Sequence, residues 1–595
     1  MFLRRDGQRL IHRSRSKGPR NEWIATRDHE DWLSKIPDLV TEVPKRRFAV
    51  APFLVGVFLL LCALTFYYFA VLRVDYSKTA LLDLRPYSDA AEYFGQAKAM
   101  LKGEGPSIQI GYDKLPSRYP LGYPALMLPW LKILPKADSV LAPFRTNQTL
   151  GLLMLLAVFG FYFYLAMPVM GGCATLLLAT LPGFFTFCRS SMSDMSDSAL
   201  VVLAFMFAYL GLKEERRWKI YLSAVFLGLS VNVRVQSLFF VPLLLAMPLF
   251  PVRGMRLRWF LHCAALPVVF VLAASPVLVV NTIQFRSPLK TGYDFWIPYF
   301  SEHHQLFSVH YMANNATMLL RELTLRPKLY GANIASFFGT GTYFVPAFIL
   351  LTFLGLSFIR FDRFALCASI TGLTSVTIIL SHNYHLVDLR YYLPLLIVLV
   401  AVAVLPVTWA AKNLFSKKQG IAAVLIFVLF AAACFGYPSR SGSNKVATDR
   451  SQAWDALHFT NPPRRSTQLV AQRRFLEMFG RQPGIVLSDI DPVYLNALLP
   501  EQFVAAPIDG QHHFRFSETW HYGRPEAVAL VKRGLDQSIP IYALFVSQEN
   551  MKKNVSRLPA LVGYDWLEQE AGTQPAVLRF VRIGFQDGGT NTGND

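Results

Sequence analysis

Residues Arg85 to Pro124 read RPYSDAAEYFGQAKAMLKGEGPSIQIGYDKLPSRYPLGYP, a polar stretch between two strongly apolar ones. The run Phe48–Leu72 precedes it, and the chain returns to an apolar segment at Leu150–Met167. A polar loop between membrane-length apolar runs is held at a bilayer surface. Within it, Ser88 opens a short helix on which Asp89 and Glu92 stand at i and i+3, so both carboxylates face one way. Two carboxylates just outside a bilayer, followed by the stiff turn Tyr119-Pro-Leu-Gly-Tyr-Pro124, suggest chemistry at the membrane surface. The bland alternative is a solvated loop helix.

Apolar residues make up 53% of the chain and aromatics 14%, and apolar runs recur from Phe48 to Phe435. The fold class expected is a polytopic α-helical membrane protein, not a soluble enzyme. The clearest spans are Phe48–Leu72, Leu150–Met167, Phe260–Val280, Ile334–Phe358, Phe364–Leu380, Tyr392–Trp409 and Ile421–Phe435, with Cys173–Phe187 and Ala199–Leu212 as shorter ones. Ile220–Leu249 is too long for one span and carries Arg234 near its middle. Basic clusters flank it, at Lys213–Lys219 and at Arg253, Arg256 and Arg258. If both clusters face the cytoplasm, the stretch is a hairpin of two short helices with Arg234 at the outer tip. An arginine buried at mid-span would instead cost at least about 2.5 kcal/mol.

Counted this way, about eleven transmembrane helices start from a cytoplasmic basic arm, residues 1–47. The remaining loops agree: Arg360, Arg363, Lys412, Lys417 and Lys418 fall inside, while Ser190–Ser198 and Ser381–Arg390 fall outside. The formal charge of +20 then lies mostly on the cytoplasmic side, where anionic headgroups account for it, and no nucleic-acid partner is expected. The first apolar run follows a polar arm and not a short cleavable segment, so it reads as an anchor. All six cysteines lie in or beside apolar spans, without metal-ligand spacing or a disulfide framework.

Three parts follow: the arm, a transmembrane region at 48–436 with outer loops 73–149 and 281–333, and a tail at 437–595 beyond the polar linker Tyr437–Asn444. In the tail, Gly484–Ser488 and Ile539–Val546 read as buried strands, and Gln468–Phe479 and Arg524–Leu535 as amphipathic helices. A C-terminal α/β domain is expected, outside the cytoplasm because the number of spans is odd. The 281–333 loop, with Tyr293-Asp-Phe-Trp-Ile-Pro-Tyr-Phe-Ser-Glu-His-His304, is too long and too aromatic for a mere connector.

Asp89 leads the candidates for chemistry, because a partly desolvated carboxylate at the bilayer edge is a strengthened proton acceptor; a charge complementing the helix dipole is the alternative. Glu92 shares that alternative. Asp194 and Asp197, where the third span hands over to the fourth, either cap the next helix or face Asp89 across one cavity, holding a cation or binding sugar hydroxyls. Arg234 suits a phosphate through its fork of donors, or snorkels to headgroups. His382, His385, Asp388 and Arg390 crowd the mouth of a late span, where Asp388 and Arg390 can also form a structural pair. Arg118 and Tyr119 are further loop candidates. His303 and His304 beside Glu302 give only a weak metal signal, because adjacent histidines do not converge on one ion. Asp489 and Asp491 read as structural caps after a strand.

These residues resemble a family. Ser88-Asp89 soon after the first span, the Tyr119–Pro124 element, the Arg234 hairpin and Arg390-Tyr-Tyr-Leu-Pro394 opening a late span are similar to the integral-membrane glycosyltransferases of the GT-C superfamily, in the group of lipid A aminoarabinose transferase and protein O-mannosyltransferases. The resemblance covers residues 48 to about 435 in topology. It implies transfer of a sugar from a polyprenyl-phosphate donor to an extracytoplasmic acceptor, whether glycolipid, polysaccharide or protein, in a bacterial inner membrane. It implies Asp89 as the loop aspartate that deprotonates or positions the acceptor, with Arg234 and Arg390 at the donor phosphate. Glu92, Asp194, Asp197 and Asp388 would serve acceptor, sugar or cation. The loop lacks a plain Asp-x-Asp, which leaves open whether a divalent cation takes part. From other classes, a lipid-linked sugar flippase would place polar groups at the midplane in broken helices and show repeated halves, whereas here they lie at the outer ends. A non-catalytic envelope assembly protein is the remaining alternative.

Overall fold

The computed structural model describes residues 50–74, 88–249, 256–296, 307–323, 363–382, 390–400, 467–508, 520–568 and 575–582. Four helices among them are long and apolar enough to cross a membrane: Val50–Leu72, Lys136–Tyr164, Asp194–Glu214 and Trp259–Phe285. Shorter apolar helices run over Pro168–Thr180, Val235–Leu249, Leu366–Leu380 and Arg390–Val400. The apolar window of Asp194–Glu214 is 72% buried, against 22% for Trp259–Phe285, so the former is central and the latter shows its apolar side outward. The expected spans Ile334–Phe358 and Ile421–Phe435 lie outside the described residues, as do the basic arm and residues 401–409.

Proline decides where the helices break. The expected single span Cys173–Phe187 is two helices, Pro168–Thr180 and Pro182–Cys188. Pro182 disfavours helical backbone at the residue before it, and Leu181 is extended at ψ 125°. The Ile220–Leu249 stretch breaks where the sequence placed the hairpin tip. A helix over Arg217–Val233 ends at Arg234, extended at φ −147° and ψ 129°, and the chain resumes as a tight turn of helix at Val235–Phe240.

Pro276 sits inside the long Arg256–Phe285 helix. The Asn232 amide bridges that helix near the proline, donating to the Ala273 carbonyl at 2.8 Å and accepting from the Val277 N–H at 2.9 Å. It thus takes up two main-chain groups that an unbroken helix would pair with each other. This contact ties the residue two before Arg234 to the neighbouring helix.

The tail contains a five-stranded sheet of order β4-β3-β5-β7-β6, with β3 Gly484–Ser488, β4 Phe503–Pro507, β5 Ile541–Phe545, β6 Tyr564–Glu568 and β7 Ala576–Arg582. β3 pairs in parallel with β4 and β5, while β7 pairs antiparallel with β5 and β6. Both central strands are buried along their whole length, which is why they read as unbroken apolar runs. Helices Thr467–Phe479 and Arg524–Asp536 match the expected amphipathic segments closely. Asp491 caps the Pro492–Leu498 helix by accepting from Val493 N–H at 2.9 Å. Asp489 accepts from Val546 N–H at 3.2 Å and from Asn550 at 2.9 Å, a structural role like the one its sequence context suggested.

The sheet shares a core with the first polar loop. Ile485 and Leu487 of β3 pack with Leu530 and Val531 on one face. Val486 points the other way and joins Phe475, Tyr494 and Ala497 in a cluster with Ala90, Ala91, Phe94 and Ala97 of the loop helix Ser88–Leu101. A short hairpin of β1 Ser107–Ile110 and β2 Asp113–Pro116 continues the contact. Its Gly111, at φ +60°, donates to the Ala505 carbonyl of β4 at 2.8 Å. The loop and the tail, separate in the sequence, are joined through one apolar interior.

Candidate active site

The loop helix Ser88–Leu101 turns Ala90, Ala91, Phe94 and Ala97 toward the sheet and keeps its two carboxylates off that apolar face. They do different jobs. Glu92 is buried at 2% exposure and accepts from the Ser117 hydroxyl at 2.9 Å and from the Arg118 main-chain N–H at 2.5 Å. It also takes Arg118 Nε at 2.8 Å and Nη2 at 2.7 Å, a two-pronged pair. Glu92 therefore fastens Ser117–Arg118 to the helix and does not line the cleft described below. Asp89, one turn earlier, points to Arg390, with Oδ2 3.5 Å from Nη1.

The Tyr119–Pro124 element leads from that knot to the hairpin break. A Cβ on Gly122 would stand 2.4 Å from the Asn232 carbonyl oxygen, so only glycine lets the two backbones meet this closely. Arg234, 7% exposed, pairs through Nη1 with Asp194, and Ser237 donates to Asp197. Both aspartates occupy the first turn of the Asp194–Glu214 helix, where the dipole favours them. They cross-link that helix to the hairpin break. Asn147 holds the preceding turn, donating to the Ser190 carbonyl at 2.9 Å and the Met192 carbonyl at 2.6 Å and accepting from Ser196 at 2.9 Å.

Asp89, Arg234 and Arg390 line one open cleft of about 390 Å³. Tyr93, Tyr119, Tyr293 and Tyr391 supply much of its wall. Tyr391 lies between the arginines, its ring centre 5.6 Å from the Arg234 guanidinium carbon and 5.3 Å from that of Arg390. The two cations are thus spaced by a ring whose face attracts both. Tyr93 packs 4.6 Å from Tyr119, and Tyr119 5.8 Å from Tyr293. The hydroxyls of Tyr93 and Ser193 are 2.9 Å apart. Burial pushes the phenols of Tyr93, Tyr119 and Tyr293 well above their usual range. They remain protonated and able to donate hydrogen bonds into the cleft. His382 packs 6.2 Å behind Tyr391, and burial pushes it down to about 4, so it is neutral.

Each of these carboxylates faces a basic or hydroxyl partner. Asp194 and Asp197 are taken up by Arg234 and Ser237, Glu92 by Arg118, and Asp89 faces Arg390. Among the described residues no group of three or more His, Cys, Asp or Glu converges. His303, His304, His385 and Asp388 lie outside the described residues. Sequence reasoning did not single out Tyr93, Tyr293, Tyr391 or Ser237. Tyr391 was the most accessible, since it follows Arg390 within an element already quoted.

No protein-family model matches the chain, and no curated protein matches its sequence. Solved structures do resemble it. ArnT from Cupriavidus metallidurans bound to undecaprenyl phosphate superposes with a TM-score of 0.55 at 14% identity, over 88% of this chain and 97% of that one. The apo state of the same protein gives a TM-score of 0.53 over the same shares. The fold is the one seen in ArnT, in keeping with the resemblance read from the sequence.

Proposed function

We propose that this protein transfers a sugar from a polyprenyl-phosphate donor to an acceptor outside the cytoplasm, at the cleft lined by Asp89, Arg234 and Arg390. The observation that carries the proposal is the meeting of one carboxylate and two guanidinium groups, drawn from three distant parts of the chain, in a single cleft beside apolar helices. Guanidinium forks suit a phosphate, and the solved relative is bound to undecaprenyl phosphate. The donor's lipid tail would lie among the spans, its phosphate on Arg390 and the Arg234 side of the cleft. The full chain would cross a bacterial inner membrane about eleven times, with the N-terminal arm inside and the first loop, the 281–333 loop and the sheet domain outside.

In this scheme the donor phosphate takes over Arg390 and releases Asp89 toward the acceptor. Asp89 accepts the proton of the acceptor hydroxyl or amine as the new bond to the anomeric carbon forms. The bond from that carbon to the phosphate oxygen breaks on the opposite face, with inversion, and its electron pair leaves on the phosphate. The arginines offset the charge that develops there. Neutral tyrosines around the cleft are placed to donate hydrogen bonds to sugar oxygens. Incubating the purified protein with polyprenyl-phosphate sugars and candidate acceptors tests this. Release of polyprenyl phosphate that depends on the acceptor is expected, and its absence across a panel of donors would overturn the proposal.

A further inference from the structure

A second polar cleft opens where the Ser88–Leu101 helix meets the sheet domain. Lys98 of that helix, Lys102 just past its end and Lys114 of β2 line it, over a floor that includes Ser107, Gln109 and Asn496. Two carboxylates also line it, and each has a lysine: Glu104 is 3.1 Å from Lys114, and Glu501 is 3.2 Å from Lys102. Lys98 Nζ donates instead to the main-chain carbonyls of Ala497 at 3.1 Å and Leu499 at 3.5 Å. Those are neutral acceptors, and among the described residues no carboxylate stands at ion-pair distance from Lys98. Three ammonium groups therefore face two carboxylates. Burial, reinforced by the Lys102 charge, pushes Lys98 down to about 8, and Glu501, which Lys102 already holds, offsets this only in part.

We propose that this cleft is an anion-binding site, distinct from the Asp89 cleft, which takes the phosphate or carboxylate of an acidic saccharide. The amide floor is already oriented: Asn496 donates to the carbonyls of Gln109 at 2.9 Å and Ala505 at 2.7 Å and accepts from Ala505 N–H at 2.8 Å. A rigid polar floor beneath an excess of ammonium groups suits a hydroxyl-rich anion better than an apolar one. A saccharide bound here lies about 14 Å along the same helix from Asp89. Only the further step, that this saccharide is the acceptor, rests on the transfer proposed above.

Acylation of lysines in the purified full-length protein at pH 8, read by peptide mass spectrometry, reports on Lys98 directly. The probes are inorganic phosphate, glucose 1-phosphate and glucuronate, each compared with chloride at equal ionic strength. A bound anion that raises Lys98 by one unit lowers its neutral fraction, and hence its labelling, about fivefold, while exposed Lys553 keeps its rate. Lys102→Gln should raise the concentration for half-protection about tenfold, and Glu104→Gln, which removes a competing carboxylate, should lower it about two- to fivefold. The second variant breaks only an exposed pair, so it decides the matter if the first fails to fold. Protection by both saccharides supports the site. Protection by inorganic phosphate alone overturns the saccharide, and unchanged Lys98 labelling with every probe overturns the site itself.

Discussion

Arg234 and Arg390 share a cleft but not an environment, and replacing each with alanine should separate them. The Arg234 side chain is 8% exposed and its partner Asp194 1%, whereas Arg390 and Asp89 are 29% and 21% exposed and 3.5 Å apart. Removing one partner of a buried pair strands the other charge in an apolar interior and costs about 3–5 kcal/mol. Breaking a half-exposed, long pair costs at most about 1 kcal/mol. Arg234→Ala should therefore lower the unfolding midpoint strongly in detergent, and Arg390→Ala hardly at all. Donor affinity should behave differently. Arg390→Ala should weaken polyprenyl-phosphate binding by about tenfold or more, the loss of one charge-assisted contact, in a protein that is still folded.

The double variant Arg234→Met with Asp194→Leu removes both buried charges and should recover most of the stability lost in Arg234→Ala. It should not recover donor binding. Thermal unfolding followed by tryptophan fluorescence, together with titration of the lipid phosphate, measures both quantities on each variant. An Arg234→Ala protein as stable as its parent would show that the pair with Asp194 holds nothing together. An Arg390→Ala protein that binds the donor as its parent does would remove Arg390 from the phosphate site.

Asp89→Asn should reduce turnover by about 10²–10⁴, the usual loss of a general base, with donor binding and unfolding midpoint unchanged; full activity in that variant would leave Asp89 as a helix-terminus charge. Glu92→Gln should destabilise the loop by about 3 kcal/mol, seen as faster proteolysis near Ser117, because Arg118 loses its counter-charge. Lys98 gives a pH effect of defined sign. Its folded value of about 8 lies below the ordinary 10.5, so between these values the unfolded chain holds the extra proton and stability rises with pH. Lys98→Met should flatten that rise. For topology, a cysteine at exposed Val562 should react with an impermeant reagent in sealed cells, and one at exposed Arg217 only after permeabilisation; the reverse pattern would invert the proposed orientation.

Length, apolar content and charge placement are local properties, and they were legible. They foretold apolar helices long enough to cross a membrane, the hairpin break at Arg234, and two of the tail's strands and two of its helices, but not its β4, β6 and β7 or the helices Pro492–Leu498 and Gln548–Asn554. Arg234 is the clearest case: an arginine inside the long, mostly apolar stretch Ile220–Leu249 must stand where the helix can stop. Identity of partners was not legible. Arg234 meets Asp194, Asp89 meets Arg390, and Glu92 meets Arg118 across sequence separations that no period or propensity constrains. Asp89 and Glu92 look equivalent on a helix face, yet packing buries one beneath Ser117 and Arg118 and leaves the other in the cleft. The same holds for the tail, which looked self-contained until the apolar side of the Ser88–Leu101 helix was found inside its core. A helix shows in its own sequence which face must be buried, but the surface that buries it is chosen by shape and charge across the whole chain, and so only by the tertiary structure.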